Sequence, residues 1–597
     1  MEENYPGITP IKKKIEECLK QEGVERPEVK LDRPSDLQFG DIASNAALRH
    51  SRELKTPPQQ LAEKICQQLN NGSLPYLKAA EAVSPGFINI TLSSDFFAEL
   101  IQEISDQGRE FGRNSNYQDQ SWVIEHTSPN PNKAMHLGHL RNNLVGMGII
   151  RALAAGGAQV TSEAVDNNRG IAIAKLMYGF LVYGRKNTNT PVQPEHWHQH
   201  PEEWLSPDEV EQKPDHFAGY CYTQAQKDLK SDPETEQMVR RWVADWEAGE
   251  EIIWKLWEYV LSFVYQGQKQ TLERLDSYFD HIWHEHQHYN KGKQYIEQGL
   301  KKGIFQQLED GAVLTNLESY GLSDTIVLKR DGTSLYITQD IALTALKKEK
   351  YQADKMVWVI GPEQSLAMQQ LFAICEQLGI GKQSEFTHIT YGYVSVKDRD
   401  GGQRKMSSRE GTEIFADDLL DEIKERLQKR LEEESEHQPK TTEEVAEKLT
   451  RAAVKFSFLK PERKQSLAFD PEQSIQTTGD SGIYVIYSYV RTRSILRKKP
   501  NRNKKNITVR EPNQERELLA LLSYYPEAVK RSQEDLSVHY LAQYLLELCS
   551  AFNKWYEKEP ILDDSNEEEY KLALTESVGQ VIKNGLEILG IETLEEI

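Results

Sequence analysis

The chain of 597 residues contains few cysteines, and their placement excludes two kinds of scaffold. The five cysteines, at positions 18, 66, 221, 375 and 549, are scattered, and no two of them form a C-x-x-C pair. Disulfide frameworks and zinc knuckles need closely spaced cysteines. The sequence therefore argues against both and favours a reducing compartment.

The chain also lacks any run of 18 apolar residues, which is the length that a membrane-spanning helix needs. Its first residues, Met1 to Pro6, do not form the apolar core of a secretory signal. We therefore expect a cytoplasmic protein without a membrane segment. At this length three or four domains are expected, and no internal repeat is evident.

Positive charge is scarce in this chain. It has 72 Lys and Arg against 93 Asp and Glu, for a formal net charge of −21 at pH 7. An acidic protein is a poor general binder of nucleic acid, so any contact with RNA must use a local basic surface. Residues 481–510 offer one, with nine Lys or Arg and no Asp or Glu. This segment is the candidate for phosphate contact.

What the sequence does contain is organised around residues 121–140. A short β-type run at 122–125 leads into a polar, proline-rich loop that ends in His-Leu-Gly-His at 136–139. Apolar residues then recur at helical spacing until two glycines at 156–157, and a second β-type run follows. Strand, loop, helix and strand in this order form the unit of a parallel nucleotide-binding sheet.

The loop has the properties of a phosphate site. A helix start carries unpaired N–H groups and a partial positive charge, and Gly138 lets a ligand approach the backbone closely. His136 and His139, three residues apart, share one face of the first turn, where two imidazoles can stabilise a pentacoordinate phosphate. The alternative is two surface histidines that cap a helix, since a lone His-x-Gly-His is a weak motif.

A second stretch, Gly401 to Gly411, is basic and rich in hydroxyls and contains Lys405-Met-Ser-Ser-Arg409. Such a loop can close over a triphosphate. In this order and at this separation the two motifs resemble those of class I aminoacyl-tRNA synthetases, and their context resembles the arginyl-tRNA synthetase family. Four further segments are similar to that family: Glu125-His-Thr-Ser-Pro-Asn130, Thr333-Ser-Leu-Tyr-Ile-Thr-Gln-Asp-Ile-Ala342, Val359-Ile-Gly-Pro-Glu-Gln364 and Tyr484-Val-Ile-Tyr-Ser-Tyr-Val-Arg-Thr-Arg-Ser-Ile-Leu-Arg497.

The resemblance implies a multidomain α/β protein. We expect an N-terminal α+β appended domain at 1–115 and a Rossmann-like parallel-sheet catalytic domain at 116–385, with an insertion at about 178–320. The signature loop and connecting helices are expected at 386–470, and an all-α anticodon-binding bundle at 471–597. In the first domain, the stretch from Phe39 is expected to be helical through Leu48. Whether this domain grips the outer corner of the tRNA, as in the family, or is purely structural stays open.

The activity that the resemblance implies is arginine–tRNA ligation in two steps. The arginine carboxylate attacks the α-phosphorus of ATP, giving arginyl-adenylate and pyrophosphate. A terminal ribose hydroxyl of the tRNA then takes the arginyl group. Neither step requires a protein nucleophile, so catalysis is positioning and electrostatics. Mg²⁺ is expected to accompany ATP, but no protein ligand for a metal can be picked out.

By the same resemblance, the two motifs bind ATP and stabilise the departing phosphates. Ser408 stands where class I enzymes often have a second lysine, and in many arginyl enzymes a lysine just before the histidine motif supplies that charge. Lys133 occupies this place here, although a solvated loop lysine is the alternative. The expected catalytic residues are His136, His139, Lys405 and Lys133, and the expected ATP contacts are His136, Gly138, His139, Lys405, Met406, Ser407 and Ser408.

A pocket for a guanidinium should offer carboxylates for forked hydrogen bonds and an aromatic face or hydroxyl. Tyr336 and Asp340 are four residues apart, so a helical turn would place them on one side, and they match the family's side-chain pocket. The alternative for Asp340 is a helix-capping carboxylate. One departure is Ala367, where the family often has a histidine, so a nucleotide contact is missing or supplied elsewhere. The other matches to arginine-binding positions are Glu125, Ser128, Asn130, His139 and Gln364.

The resemblance also implies an RNA contact in the C-terminal bundle. Tyr487, Arg491, Arg493 and Arg497 recur on an expected helix, where arginines would grip phosphate and tyrosines would stack on bases. The alternative is that the tyrosines are core and the arginines a solvated face. The expected partners are arginine and its cognate tRNA, and the protein is expected to be a monomer.

Three competing interpretations remain open. Four histidines between His281 and His288 suggest a zinc site by composition, but the matching family stretch carries no metal, so none is expected. A class I enzyme for another amino acid is disfavoured by Asp340, since a buried carboxylate opposes neutral and acidic side chains. A catalytically silent relative that binds tRNA or senses arginine is disfavoured by intact His136, His139, Lys405 and Asp340.

Overall fold

A computed structural model describes residues 5–34, 36–397, 403–405, 413–434, 443–500 and 514–597. The described residues belong to two compact units. The first contains residues from 1–114, 439–456 and 473–597, and the second contains residues from 115–438 and 457–472. In these described ranges no helix is both long enough and apolar enough to cross a membrane. All five cysteines are buried and free.

The N-terminal part of the first unit packs four helices against a small antiparallel sheet with strand order β1-β3-β2. The stretch from Phe39 to Leu48 was expected to be one helix, and this prediction was wrong. Residues 42–44 form a strand that pairs with Ile88–Ile90, and a helix begins only at Ala46. The elements are α1 (Thr9–Gln21), β1 (Ile42–Ser44), α2 (Ala46–His50), α3 (Pro58–Asn70), β2 (Leu77–Val83), β3 (Phe87–Leu92) and α4 (Ser94–Gln107).

The second unit is built on a five-stranded parallel sheet with strand order β11-β10-β4-β5-β6. Its strands alternate along the chain with helices, as the strand–loop–helix–strand pattern predicted. The sheet strands are β4 (Ser121–Glu125), β5 (Gln159–Asp166), β6 (His281–His284), β10 (Lys355–Val359) and β11 (Phe386–Ile389). The helices of the same unit are α5 (Leu137–Ala155), α6 (Ile171–Tyr183), α7 (Pro194–Gln199), α8 (Pro214–Ser231), α9 (Pro233–Ala248), α10 (Glu251–Arg274), α11 (Gly292–Lys301), α12 (Tyr336–Tyr351), α13 (Ser365–Leu378) and α14 (Ala416–Glu434).

Two small sheets complete the second unit. One joins β7 (Gln306–Gln307), β8 (Val313–Leu314) and β9 (Ile326–Leu328), and the other joins β12 (Val394–Lys397), β13 (Gln403–Lys405) and β14 (Leu467–Phe469). Strand β6 lies inside the span 178–320 that was expected to be an insertion, yet it pairs with β5 in the main sheet. Helices α6 to α10, which share a tryptophan-rich core, therefore lie between β5 and β6 along the chain.

The C-terminal part of the first unit is helical, which confirms the predicted all-α bundle. Helix α18 carries a proline, Pro526, in its interior. The helices are α15 (Glu443–Leu459), α16 (Pro471–Ser474), α17 (Gly482–Arg497), α18 (Arg516–Glu534), α19 (His539–Lys558) and α20 (Glu568–Ile588). Residues 457–459 of α15 and 471–472 of α16 belong to the second unit. Together with the parallel sheet and the N-terminal α+β part, this bundle confirms the predicted fold class.

Buried polar contacts join the N-terminal part of the first unit to its C-terminal helices. Asp41 accepts a hydrogen bond from the Leu92 amide at 2.7 Å and forms an ion pair with Arg516 of α18. The hydroxyl of Tyr524 donates to the Asp41 carbonyl. Burial raises the pKa of Asp41 although Arg516 opposes that shift. A carboxylate so placed needs its guanidinium partner, so the N-terminal sheet depends on α18.

Candidate functional site

The site lies at the point in the main sheet where the order of the strands along the chain reverses. From β4 the chain moves outward through β5 to β6, and it then returns to the other side of β4 to form β10 and β11. In such sheets, ligands bind in the crevice outside the carboxyl ends of the strands at this reversal point. Asn142 of α5 bridges this point, since its amide donates to the Val359 carbonyl at 2.8 Å and accepts from the Thr127 amide at 2.9 Å.

The two predicted histidines form a stacked pair at the start of α5. Their ring centroids lie 3.7 Å apart with an interplanar angle of 18°. Nδ1 of His136 accepts from the Gly138 amide at 3.1 Å, and Nδ1 of His139 accepts from the His136 amide at 3.3 Å. Because both Nδ1 atoms accept, each neutral ring carries its proton on Nε2, which is left to donate to a ligand.

Both imidazoles are held neutral. Desolvation lowers the pKa of His136 and, further, that of His139, with the nearby Lys133 acting in the same direction. Glu413 partly opposes the shift at His136. The pair therefore offers hydrogen-bond donors rather than fixed positive charge at the helix start, where the unpaired backbone amides already favour an anion.

A short segment after the second motif is tied to this helix start. The Leu137 amide donates to the Ile414 carbonyl at 3.1 Å, and the Ala416 amide donates to the Met135 carbonyl at 2.8 Å. Lys133 Nζ lies 2.7 Å and 2.6 Å from the two carboxylate oxygens of Glu413. Residues 413–416 thus join the end of the second motif to the first motif by backbone and side-chain contacts.

Strand pairing fixes the backbone at the start of the second motif. Lys405 is the last residue of β13 and is the Cα partner of Ser395 in β12. Met406, Ser407 and Ser408 lie outside the described residues. Arg141 of α5 is fully buried and donates to the Phe458 carbonyl at 2.8 Å, so the chain that leads into β14 is fastened to α5 as well.

An acidic cluster lies beside the same strand ends. Glu125, the last residue of β4, accepts from Lys347 Nζ at 2.6 Å, and Lys347 also pairs with Glu163 of β5. Lys347 and Glu163 are fully buried. Burial raises the pKa of Glu125, and Lys347 counteracts that rise. Sequence reasoning identified Glu125 but missed its two buried partners.

Asp340 lies near this cluster, on the helix that carries Lys347. Surrounding protein raises the pKa of its carboxyl to about 7, and the negative charge of Glu125 adds to the shift. The residue nevertheless keeps contact with solvent, so a cationic ligand can reach the carboxylate. Tyr336, one turn earlier on α12, is 80% exposed. The predicted pair therefore shares one end of α12 and is accessible.

The remaining residues assigned to the amino-acid pocket lie on loops at the carboxyl ends of the strands. Ser128 and Asn130 follow β4, and Gln364 follows β10. The Ser128 hydroxyl accepts from the Val165 amide at 3.0 Å, while Asn130 and Gln364 are exposed. Ala367, in the first turn of α13, is exposed too.

The residues assigned to RNA contact all lie on α17, with different surroundings. Arg491 is exposed, its guanidinium lies 5.2 Å from the Tyr556 ring centroid, and it bonds to Asn553. Arg493 is paired with the Glu595 carboxylate at 2.8 Å, and Arg497 donates to the Glu595 carbonyl at 2.7 Å. Tyr487 is half-buried.

The histidine-rich segment is engaged in hydrogen bonds. His284 Nδ1 lies 2.7 Å from an Asp166 oxygen, and His286 Nδ1 lies 2.9 Å from the Asn168 amide nitrogen. Within the described ranges, no three His, Cys, Asp or Glu side chains are arranged to hold a metal ion. These histidines tie β6 to the end of β5.

The chain matches three family models in succession. The model described as "Arginyl tRNA synthetase N terminal domain" matches residues 9–92. The model "tRNA synthetases class I (R), catalytic domain" matches residues 100–188 and 203–471. The model "DALR anticodon binding domain" matches residues 485–597.

Curated relatives and solved structures agree with these matches. A protein of Bacteroides thetaiotaomicron named arginine–tRNA ligase is 32% identical over 565 residues, which cover 90% of each chain. A protein of the same name from Borrelia hermsii is 28% identical over 98% of each chain. The arginyl-tRNA synthetase of Thermus thermophilus has a similar fold, with a TM-score of 0.78 and 24% identity over 98% of this chain and 99% of that one.

Replacing Asn142 by alanine should destabilise the second unit by removing the bridge at the switch point. The buried amide of Thr127 would lose its acceptor, which typically costs about 1–3 kcal/mol. Asn143→Ala is a matched control, because Asn143 is also buried on the same helix but accepts its side-chain hydrogen bond from the half-buried Ser277 hydroxyl. Urea unfolding of both variants measures the difference. Equal losses would show that the bridge contributes nothing beyond side-chain volume.

Proposed function

The chain belongs to the arginyl-tRNA synthetase family of class I, and from that premise we propose how its residues perform arginine–tRNA ligation. The protein is an arginine–tRNA ligase. ATP activates the arginine carboxylate, and the arginyl group then passes to the terminal ribose of the tRNA. Because no covalent bond to the protein is needed, the residues act by orienting the reactants and by stabilising charge.

The side chain of arginine binds at the first turns of α12. Asp340 accepts a forked hydrogen bond from the guanidinium, and the exposed ring of Tyr336 offers a face or hydroxyl next to it. Glu125 holds the α-ammonium group, with Ser128, Asn130 and Gln364 around the amino-acid end. Carboxylates near both cationic groups explain why the pocket prefers arginine over neutral amino acids.

The phosphates of ATP bind at the start of α5. Nε2–H of His136 and of His139 donate to the α-phosphate as it becomes pentacoordinate, and Gly138 allows the close approach of the backbone. Lys133 and Lys405 neutralise the departing pyrophosphate, which Met406, Ser407 and Ser408 also contact. Since Lys133 is paired with Glu413, a phosphate must replace that carboxylate as its partner.

Mg²⁺ accompanies ATP as its counter-ion in this proposal. The described part of the chain has no cluster of three His, Cys, Asp or Glu side chains suited to a metal ion. The phosphate oxygens would therefore supply the main ligands of Mg²⁺, as is usual for this ion. The protein's own contribution to charge neutralisation comes from the two lysines.

Helix α17 contacts the tRNA in this proposal. Arg491 is the best-placed group, because it is exposed and its guanidinium is stacked near Tyr556. Arg493 and Arg497 are bonded to Glu595, so a phosphate would compete with that residue for them. Tyr487 completes the proposed surface. A monomeric state and a cytoplasmic location stay predictions.

The observation that carries the proposal is the position of the histidine pair. Two imidazoles with fixed Nε2–H donors lie at the helix that starts beside the switch point, and the strand end that precedes them carries the acidic cluster. A phosphate site and a site for a cationic amino acid therefore meet at one edge of one sheet.

An amino-acid panel tests the function directly. Purified protein, ATP and total tRNA should charge tRNA with arginine and with none of the other nineteen amino acids. ATP–pyrophosphate exchange is expected to depend on both arginine and the cognate tRNA. Charging with a different amino acid, or binding of tRNA without any charging, would refute the assignment, and Lys405→Ala serves as the inactive control.

Substitutions of His136 separate its two roles. His136→Asn keeps a side-chain acceptor at the helix N-cap, since Asn is a preferred cap, but it lacks the outward donor. His136→Ala loses both. We expect kcat to fall by about 10²–10³-fold in both variants, and the alanine variant alone to lose about 1 kcal/mol of stability. Steady-state kinetics and urea unfolding measure the two effects. Near wild-type kcat in His136→Asn would exclude the proposed donor role.

The affinity for arginine should depend on pH through Asp340. Its raised pKa of about 7 means that the carboxyl binds a proton as the pH falls from 8 to 6, and only the ionised form attracts a guanidinium. The KM for arginine should therefore be roughly tenfold higher at pH 6 than at pH 8. In Asp340→Asn the KM should be high at both values. A wild-type KM that does not change over this range would contradict the assignment.

A further inference from the structure

Lys347 is fully buried and lies between two buried carboxylates, those of Glu125 and Glu163. Its ammonium nitrogen is 2.6 Å from Glu125 Oε2 and is also paired with Glu163. Glu125 and Glu163 are register partners on the adjacent parallel strands β4 and β5. Trp283 donates to the second oxygen of Glu163 at 2.7 Å. The Lys347 ammonium thus forms ion pairs with two carboxylates on adjacent strands.

Stability alone is a poor reason for such a triad. Apolar side chains of similar volume often replace a buried ion pair without loss, because removing charges from water is costly. Without the ammonium, the two neighbouring carboxylates cannot both stay ionised in this buried place, and one would take up a proton. The arrangement therefore fixes the charge of Glu125, whose position at the end of β4 borders the crevice.

The charges near Lys347 can be counted from every element that faces it. Glu125, Glu163 and Asp340 are negative when ionised, and Lys347 is positive, which leaves a net charge of −2. Burial lowers the pKa of His281 and of His288, which also feel the charge of Lys347, so both are neutral. Tyr351, which bonds Glu163, has a raised pKa and is neutral as well, and Lys350 lies near His281. Arginine carries two cationic groups, its guanidinium and its α-ammonium, which match this charge.

We propose that Lys347 is a positioning residue for arginine recognition, which holds Glu125 ionised and fixes its carboxylate for the α-ammonium of the substrate. The inference rests on the proposed function, in which Glu125 holds that group. Lys347 itself does not touch arginine. It binds Oε2 of Glu125, and the Trp358 side chain supports the same carboxylate by a hydrogen bond. Because Asp340 lies on the same helix, the ion triad also sets the position of the guanidinium-binding carboxylate relative to Glu125.

Lys347→Met tests this role, with Lys347→Met/Glu163→Gln as its charge-balanced partner. The single variant leaves two adjacent carboxylates without a cation, so they share a proton at neutral pH and Glu125 no longer keeps a full negative charge. We expect its KM for arginine to rise at least tenfold at pH 7 and to recover as the pH is raised to 9, while its KM for ATP changes less than twofold. The double variant carries one carboxylate and no ammonium, which restores the triad's charge of −1.

If the single variant does not fold, the double variant still tests the role of Lys347. We expect it to recover most of the arginine affinity at pH 7, with a melting temperature close to that of the wild type. Equal rises of KM for arginine and ATP, or a KM for arginine that follows the melting temperature across the variants, would show a purely structural triad. Wild-type protein that fails to charge tRNA with arginine would instead refute the proposed function, so the two failures are distinguishable.

Discussion

The bridge that Asn142 makes between the loop after β4 and the end of β10 is the contact on which the site depends. The pairing of β4 with β10 ends at Glu125 and Trp358, and backbone groups just beyond that point need other hydrogen-bond partners. The Asn142 amide supplies a partner to each side. Since α5 also carries His136 and His139 on its first turn, the same helix closes the sheet and presents the phosphate site. The position of the imidazoles is thus fixed by a contact in the next turn of the same helix.

The charged groups of the site differ in how far they are buried. The ion pairs of Lys347 are buried, whereas Asp340 and Tyr336 on the same helix meet solvent. Buried pairs are rigid but costly, and accessible carboxylates are available to a ligand. The histidines add donors without charge because desolvation keeps them neutral. The chemistry of the crevice therefore depends on a buried cation and an accessible carboxylate on α12, and on neutral imidazoles at the start of α5.

Sequence patterns predicted those features that depend on local spacing. The strand at 121–125, the helix from Leu137 and the shared turn of Tyr336 and Asp340 follow from periodicity and motif spacing, and the fold class is confirmed. Lys347 could not be found this way, because Lys347 and Lys348 in a row of charged residues are typical of a solvated helix end. Its partners lie 222 and 184 residues away in sequence, at Glu125 and Glu163. The strand at Ile42 was missed for a similar reason, since its pairing with Ile90 is non-local.

The ion pair of Asp41 with Arg516 has a consequence for biosynthesis. A chain leaves the ribosome from its N-terminus, and domains generally fold as they emerge. The small N-terminal sheet appears first, but the guanidinium and the phenol that satisfy Asp41 belong to a helix that begins at Arg516. The Asp41 carboxylate therefore lacks its cationic partner while the whole nucleotide-binding region is made. Slow translation of the middle of the chain would lengthen that wait and would increase the need for chaperones.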